Sequence, residues 1–114
     1  MAGKYVTYWD TGHWRCAIEI MLAKSTVSNY GYYRLQVYGR DGTLLSSTSD
    51  RVDLFETKRV NLNDLVGEGP GVEGLVMVSD EANEDDEFVC VLKIIGRDQE
   101  LQEGLRYVPF TRIE

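Results

Sequence analysis

The sequence predicts an all-β fold, a single-domain antiparallel β-sandwich of about seven to nine strands. Polar and apolar residues alternate over short segments, most clearly in residues 32–38, where every second side chain from Tyr33 to Val37 is aromatic or aliphatic. Turn-forming residues separate these segments, as Asp41-Gly42 does directly after this strand. Short strands between turn signals are typical of two antiparallel sheets stacked face to face.

The first two elements are predicted strands. Residues 4–9 are rich in aromatic and β-branched side chains, and they end at the turn sequence Asp10-Thr11-Gly12. Residues 13–23 alternate, with one face formed by Trp14, Cys16, Ile18, Ile20 and Leu22. A helix is the competing interpretation of residues 16–24, because Ala, Glu, Met and Leu favour helices. No N-cap residue precedes that segment, and isoleucines spaced two apart favour the strand.

A β-hairpin is predicted next. Asp and Gly tolerate the positive φ angles of two-residue hairpin loops, so residues 39–42 are expected to return the chain into a second strand at residues 43–45. The polar residues 46–50 are predicted to cross away from the sheet. Residues 52–55 are predicted to form a short apolar element under the sheet edge.

Four further strands are predicted in the second half of the chain, at residues 59–65, 72–79, 88–95 and 106–113. The third of these is apolar on both faces apart from Lys93, which indicates a central strand. The last contains Pro109, which cannot donate a hydrogen bond within a sheet, so this strand is predicted at an edge. The glycine-rich residues 67–71 and the polar residues 97–104 are predicted connections.

Length and charge limit the classes of function. A chain of 114 residues is the size of one domain, and we predict a single domain over residues 1–114. The formal net charge is -7 and the basic residues are scattered singly, which disfavours nucleic-acid binding because phosphate contacts need clustered cations. The apolar runs are far shorter than the roughly 20 residues of a membrane span. The first residues lack the apolar core of a signal peptide, so the predicted location is cytoplasmic.

Acidic residues are concentrated in one segment, with six of them in positions 80–87. Their mutual repulsion predicts a solvated loop, which also discourages strand pairing between molecules. A calcium site is the alternative, because calcium binds several carboxylates in flexible geometry. The Asp-x-Asp-x-Asp-Gly order of a dedicated calcium loop does not occur in the sequence.

Metal-binding and catalytic motifs are weak. Asp10, His13 and Cys16 are spaced three apart, but His13 and Cys16 would point to opposite faces of a strand, and a structural zinc site takes four ligands. Cys16 and Cys90 both lie in apolar strand segments. They are predicted as reduced core thiols, with a disulfide between facing sheets as the alternative. We predict no metal, no cofactor and no enzymatic activity.

The order of parts resembles, at the level of pattern, small bacterial β-sandwich modules such as those of the sensory rhodopsin transducer family. The residues that carry the resemblance are Val37-Tyr38, Asp41-Gly42 and Val60-Asn61-Leu62-Asn63-Asp64-Leu65. The resemblance implies a soluble sandwich that self-associates and binds other molecules without catalysing a reaction. The acidic segment 80–87 and the glycine-rich segment 67–71 depart from the family's pattern, so the resemblance implies no particular partner and no ligand residue.

Aromatic residues are concentrated in the first third of the chain, where alternation sends several to the face opposite the core. Tyr and Trp suit protein interfaces and also sugar-stacking surfaces. The candidate interface or binding residues are Trp9, Trp14, Tyr30, Tyr32 and Tyr38. The leading hypothesis is a non-enzymatic module that forms a homo-oligomer or a larger assembly, with the 106–113 edge open to a further protein partner.

Two further roles for these aromatic residues compete with self-assembly. The first is a carbohydrate- or small-ligand-binding module with Trp9, Trp14, Tyr32 and Tyr38 as stacking rings. The second is ordinary filling of the sandwich core together with cross-strand pairs.

Overall fold

The computed structural model is an antiparallel β-sandwich, as the sequence predicts. It describes residues 3–12, 14–26, 28–67, 72–82, 85–95 and 106–114. The described residues form β1 (Lys4–Asp10), β2 (Arg15–Lys24), β3 (Tyr30–Gly39), β4 (Leu44–Asp53), β5 (Thr57–Asn61), α1 (Leu62–Val66), β6 (Glu73–Asp80), β7 (Glu87–Ile95), β8 (Arg106–Pro109) and β9 (Thr111–Arg112). His13, most of the predicted connection at 67–71 and the whole of that at 97–104 lie outside the described residues.

The strands form two sheets. Sheet A has the order β4-β3-β6-β1-β9, and sheet B has the order β5-β2-β7-β8. Neighbouring strands are antiparallel throughout both sheets. In the middle of sheet A, β6 lies between β3 and β1, so that Leu75 is opposite both Tyr38 and Tyr8. This register places Tyr38, Leu75 and Tyr8 side by side on the outer face of sheet A.

The hydrophobic core lies between the sheets. Residues 18, 20 and 22 of β2 alternate inward and are fully buried, which confirms the strand over the competing helix. They face the inward residues of sheet A, among which are Leu35, Val37, Val76 and Val78. Burial of each such aliphatic side chain stabilises the fold by about 1.5–3 kcal/mol.

The hairpin forms where it is predicted, but its second strand is longer. Gly42 adopts a φ of 86° while Asp41 does not take a positive φ, and the Gly39 amide donates to the Thr43 carbonyl at 2.9 Å. β4 then runs to Asp53 through residues 46–50, so the predicted polar crossing is wrong. The reason is that β4 is the edge strand of sheet A, where polar side chains face solvent while the backbone pairs with β3.

The predicted strand at residues 59–65 is also wrong in its second half. β5 ends at Asn61, and α1 continues to Val66 before Gly67 stops it with a φ of 81°. One helical turn still buries Leu62, and it brings the Asn63 amide to β2, where its Oδ1 accepts from the Cys16 amide at 2.8 Å. Alternation alone cannot distinguish this turn from four more residues of strand.

The last predicted strand is divided between the two sheets. β8 is an edge strand of sheet B, as Pro109 predicts, but the chain then crosses at Phe110 and β9 joins the edge of sheet A. The Phe110 amide donates to the Cys90 carbonyl at 3.0 Å, and the Ile113 amide donates to the Lys4 carbonyl at 2.8 Å. These two bonds connect residues 110–113 to both sheets.

β7 is an interior strand of sheet B, which confirms its predicted central place. Apolar residues on both faces do not mean that both faces are covered, since Val89 is 51% exposed. Among the described residues, no layer covers the outer face of sheet B at this strand. Its apolar residues therefore do not all belong to the core.

The acidic segment 80–87 is only partly the solvated loop that its charge predicts. Asp80 and Asp86 are buried. Asp80 accepts two backbone amides, from Ala82 at 3.2 Å and from Asp86 at 2.9 Å. These hydrogen bonds explain why Asp80 is buried against the expectation from charge repulsion.

Candidate functional site

The outer face of sheet A carries an apolar patch. It is formed by Val6, Tyr8, Tyr38, Leu75, Met77 and Ile113, which line a groove of about 430 Å³. Val6 lies opposite Met77, and Tyr8 lies opposite Leu75, so the apolar side chains form two adjacent rows across the sheet. Tyr8 is 79% exposed. The solvent face of an antiparallel sheet is usually polar, so this sheet A patch is unusual.

The charged side chains around the sheet A patch are paired within the chain. Arg40 contacts Glu73 at 3.0 Å, and Lys4 contacts Glu114 at 3.5 Å. Arg34 donates to Glu81 at 2.7 Å. Each cation thus has a local carboxylate, and these pairs make the border of the patch electrically neutral despite the net charge of -7.

A cleft opens at the end of the sandwich where β1 and β3 finish and β6 begins. It has a volume of about 550 Å³, and we call it the end cleft. Its inner wall comes from both sheets and includes Trp9, Cys16, Leu92 and Ile94. Trp14, Tyr8, Asp10, Arg40 and Glu73 stand around the opening. The volume is within the range of about 300–1,000 Å³ that is typical of small-molecule sites.

Two glycines shape the floor of the end cleft. Gly39 and Gly74 are paired across β3 and β6, and Trp9 is paired with Gly74 on the other side. The indole of Trp9 donates to the Tyr38 carbonyl at 3.2 Å. A Cβ on Gly74 would overlap that same carbonyl oxygen. The hydrogen bond of Trp9 and the close approach at Gly74 therefore fix one edge of the cleft.

Asn63 of α1 holds the other edge. Its Nδ2 donates to the Trp14 carbonyl at 3.3 Å, while its Oδ1 accepts from the Cys16 amide. The Cys16 thiol donates to the Asp10 carbonyl at 3.3 Å. The hydrogen bonds from Asn63 involve backbone groups of residues 14 and 16. They hold the backbone that carries the Trp14 ring, and the ring itself takes no part in them.

The structure separates the five aromatic residues predicted as one site. Trp9 is 3% exposed and belongs to the core at the end cleft, whereas Trp14 is 43% exposed at its opening. Tyr38 lies in the sheet A patch. Tyr30 and Tyr32 lie at the opposite end of β3, and the six residue steps from Tyr32 to Tyr38 span about 20 Å.

The separated rings form no continuous platform for a sugar. Tyr30 and Tyr32 meet edge to face, with ring centroids 5.9 Å apart and planes at 89°. The Arg51 guanidinium covers the Tyr30 ring at 4.0 Å. A flat stacking surface needs exposed ring faces side by side, and the predicted set of Trp9, Trp14, Tyr32 and Tyr38 does not provide it.

Sequence reasoning missed most of the sheet A patch. Tyr8, Leu75 and Met77 are not among the candidate residues predicted from sequence, although the signal is present in β6, which reads Gly-Leu-Val-Met-Val at residues 74–78. Four apolar residues in succession supply both faces of a strand. Such a strand lies either between two layers or under an exposed apolar patch, and only the register of β6 decides between them.

Two carboxyl groups are buried at the end of the sandwich opposite the end cleft. Asp86 is 1% exposed, and among the described residues neither of its oxygens has a hydrogen-bond partner of good geometry. Burial, followed by the charges of Asp80 and Asp85, raises the pKa of Asp86, while Ser25 and the Thr26 backbone act in the lowering direction. Gly31 packs directly against this carboxyl group, where a Cβ would overlap Oδ2.

Both cysteines are free and buried, as predicted. They lie in neighbouring strands of sheet B, where Cys16 is opposite Ile94 and Cys90 is opposite Ile20. An offset of four residues corresponds to about 13 Å, which excludes the alternative disulfide. Burial raises the pKa of Cys16, and it raises the pKa of Cys90 to about 12.

These thiols are expected to be unreactive in the native protein. At pH 8 the thiolate fraction of a group with the pKa of Cys90 is about a thousandfold below that of an ordinary cysteine, and the thiolate is the nucleophile. Titration with Ellman's reagent should show slow reaction of the native protein and rapid reaction of two thiols in guanidinium chloride. Equal rates under both conditions would contradict the burial of the cysteines.

Comparison with protein-family models, with curated proteins and with solved structures found no match. Among the described residues, no group of three or more His, Cys, Asp and Glu side chains is arranged to hold a metal ion. In the same part of the chain, no helix is long and apolar enough to cross a membrane.

Proposed function

We propose that this β-sandwich is a non-enzymatic interaction module that self-associates through the sheet A patch. The observation that carries the proposal is the double row of apolar side chains on an otherwise solvent-facing sheet, in which Tyr8 is 79% exposed. Contiguous exposed apolar patches with polar rims are characteristic of interaction sites. Tyr and Met are among the residues enriched at protein interfaces.

Self-association of this acidic chain needs a face on which charge is locally balanced. Two chains with a net charge of -7 repel each other, so contact requires a face where charge is locally balanced. The paired residues around the sheet A patch provide such a face, with Arg40–Glu73 and Lys4–Glu114 at its border. Face-to-face association about a two-fold axis would place the apolar rows of both copies together and leave the ion pairs at the rim.

A dimer of ordinary size would have to use the whole outer face of sheet A and not the apolar patch alone. Five strands about 4.8 Å apart, with seven residues in β1 at about 3.3 Å each, give a face of roughly 24 Å by 23 Å. Stable interfaces bury about 800 Å² of accessible surface per partner, and a side-chain surface exceeds its flat projection. Self-association is also what the resemblance to the sensory rhodopsin transducer family implies. That resemblance and the cytoplasmic location both remain predictions.

The substitution Met77→Lys is expected to dissociate the assembly. Met77 lies in the middle of the patch opposite Val6, and a two-fold interface would bury the new charge twice. We expect at least a hundredfold weaker association, measured by light scattering after size-exclusion chromatography across a concentration series. The wild-type mass should be twice the 13.0 kDa of one chain or a larger multiple, and the variant should approach the single-chain mass.

Met21→Lys provides the matched control. Met21 is partly buried on the outer face of sheet B, opposite Val89, so the same substitution adds the same charge on the other side of the sandwich. Its mass should equal that of the wild type. A wild-type protein that remains at 13.0 kDa at every concentration would overturn the proposal, and so would a dimer that Met21→Lys dissociates and Met77→Lys does not.

A further inference from the structure

The end cleft is a feature of the molecule that self-association does not use. It reaches between the two sheets to Cys16 and Leu92, whereas the sheet A patch lies on the outside of one sheet. The cleft and the patch share residues at their common edge, among them Tyr8 and Leu75. Binding in the end cleft therefore does not require the proposed dimer.

The end cleft exists because two side chains are missing from the inward face of sheet A. Val37 and Val76 are fully buried on that face, and Gly39 and Gly74 lie two residues from them on the same side of β3 and β6. The facing wall of sheet B continues to this end of the sandwich and includes Ile94. The cleft is thus an unfilled continuation of the hydrophobic core.

The backbone requires only one of these two glycines. A Cβ on Gly74 would overlap the Tyr38 carbonyl oxygen, whereas the nearest atom to a Cβ on Gly39 would be Asp41 Oδ1 at 3.4 Å. Gly39 does not take a positive φ either. A larger side chain would therefore meet no steric barrier at position 39, and glycine there keeps the cleft open.

The walls of the end cleft are mostly apolar. Both tryptophans of the chain and Tyr8 contribute aromatic rings, and Leu92 and Ile94 contribute an aliphatic surface. Trp14 is partly exposed at the opening, while Trp9 is fixed by its hydrogen bond to a backbone carbonyl. A planar aromatic ring is complementary to such walls, because aromatic rings pack favourably in offset and edge-to-face arrangements.

The charged side chains of the lining have partners within the chain. Arg40 contacts Glu73 at 3.0 Å, and Asp10 Oδ1 accepts the Gly12 amide at 2.8 Å. The Cys16 thiol donates to the Asp10 carbonyl at 3.3 Å, and burial raises the pKa of this thiol, so it is uncharged at neutral pH. A charged ligand would lose hydration in the cleft without gaining a new partner of opposite charge, whereas an uncharged ligand has no such cost.

We propose that the end cleft binds an uncharged organic molecule built on one or two fused aromatic rings. The rings lie over Gly39 and Gly74, in the space of the missing side chains, with Leu92 and Ile94 on their other side. Trp14 at the opening packs against the rings and shields them from water. The cleft volume of about 550 Å³ is sufficient, because small-molecule sites begin at about 300 Å³.

Indole is a suitable probe, and the proton–nitrogen correlation spectrum of the isotope-labelled protein locates its binding. Each of Trp9 and Trp14 gives one indole N–H signal, and both residues line the end cleft. We expect saturable shifts of both signals with a dissociation constant of about 1 mM or lower, as is usual for a ligand of this size. Tryptamine and indoleacetate carry the same rings with a positive and a negative charge, and they should bind at least tenfold more weakly.

Substitutions then test the position of the bound rings. Gly39→Leu should weaken indole binding at least tenfold, because the new side chain takes up part of the cleft. Trp14→Ala should weaken it about tenfold, because the aromatic ring is lost while the carbonyl of residue 14 keeps its hydrogen bond from Asn63. Tyr32→Ala lies outside the cleft and should leave the dissociation constant unchanged. Circular dichroism shows whether each variant is folded.

Each result either supports or overturns the inference. Absence of saturable shifts with indole would overturn the site, and equal binding of indole and either charged derivative would overturn the preference for an uncharged ligand. An unchanged dissociation constant for Trp14→Ala would place the probe elsewhere, and this test decides the matter if Gly39→Leu does not fold. The mass of the protein, measured alongside, separates failure of this inference from failure of the proposed self-association.

Discussion

Gly74→Ala is expected to destabilise the fold by about 3–5 kcal/mol, which is a large part of the total stability of a domain of this size. Gly74 lies in the middle of sheet A between Gly39 and Trp9, and a Cβ would overlap the Tyr38 carbonyl oxygen. That oxygen cannot move away without losing the indole hydrogen bond of Trp9. Urea unfolding followed by circular dichroism measures the loss, and the soluble yield measures it where the variant does not fold.

Gly39→Ala is the matched control for this prediction. Gly39 is the cross-strand neighbour of Gly74, but the nearest atom to its Cβ would be Asp41 Oδ1 at 3.4 Å, which is an ordinary contact. We expect a change below about 1 kcal/mol, because Ala also restricts the unfolded chain. Similar effects of the two substitutions would show that the close approach at Gly74 is not what constrains the position.

Asp86→Asn is expected to raise the free energy of unfolding at pH 7, because asparagine removes the cost of burying a charged carboxylate. Burial raises the pKa of Asp86, so the folded state binds this proton more tightly than the unfolded state does. Wild-type stability therefore falls as pH rises from the unfolded pKa of about 3.9 through the raised folded pKa. Asparagine does not ionise, so the advantage of the variant should be small at low pH and grow over that interval.

Urea unfolding of both proteins between about pH 3.5 and pH 8 measures this difference. Asp41→Asn provides a control of opposite sign, because hydrogen bonds from Thr43 lower the pKa of Asp41. The wild-type advantage over Asp41→Asn should exist above the unfolded pKa and disappear as pH falls through the folded pKa. A variant Asp86→Asn that is less stable than the wild type at pH 7 would contradict the prediction. It would indicate that a cation or donor stabilises the charged carboxylate.

The fold could be predicted from the sequence because local alternation is preserved wherever one strand face is buried. β2 shows this, since residues 18, 20 and 22 are fully buried and form the strand that their spacing predicts. Residues 46–50 escape prediction because an edge strand needs no apolar side chains and its pairing is made by the backbone. Likewise, Leu62 is buried equally well by a helical turn as by a strand.

The candidate sites are less predictable, because they depend on the register of strand pairing in sheet A and on how the strands end at the end cleft. Residue type alone points to Trp9 and Trp14, which do lie together at the end cleft, but Tyr30 and Tyr32 lie about 20 Å away along β3. Nothing in local sequence shows that Tyr8, Leu75 and Tyr38 become neighbours. That arrangement follows from the pairing of β6 with two strands more than thirty residues earlier in the chain.

The crossing at Phe110 has a consequence for the order in which the protein acquires its structure. β1 is made first by the ribosome, yet its partners are β6 and β9, so one of its edges stays unpaired until residue 112 has emerged. β1 and β3 lie on either side of β6 and pair with it, and β6 is synthesised after residue 72. Closing such long loops before any of these contacts can form makes β-sandwiches slow to fold, on the scale of milliseconds to seconds. The sandwich is therefore complete only once residues 106–112 have emerged, and until then the apolar side chains of β1 lack some of their partners in sheet A.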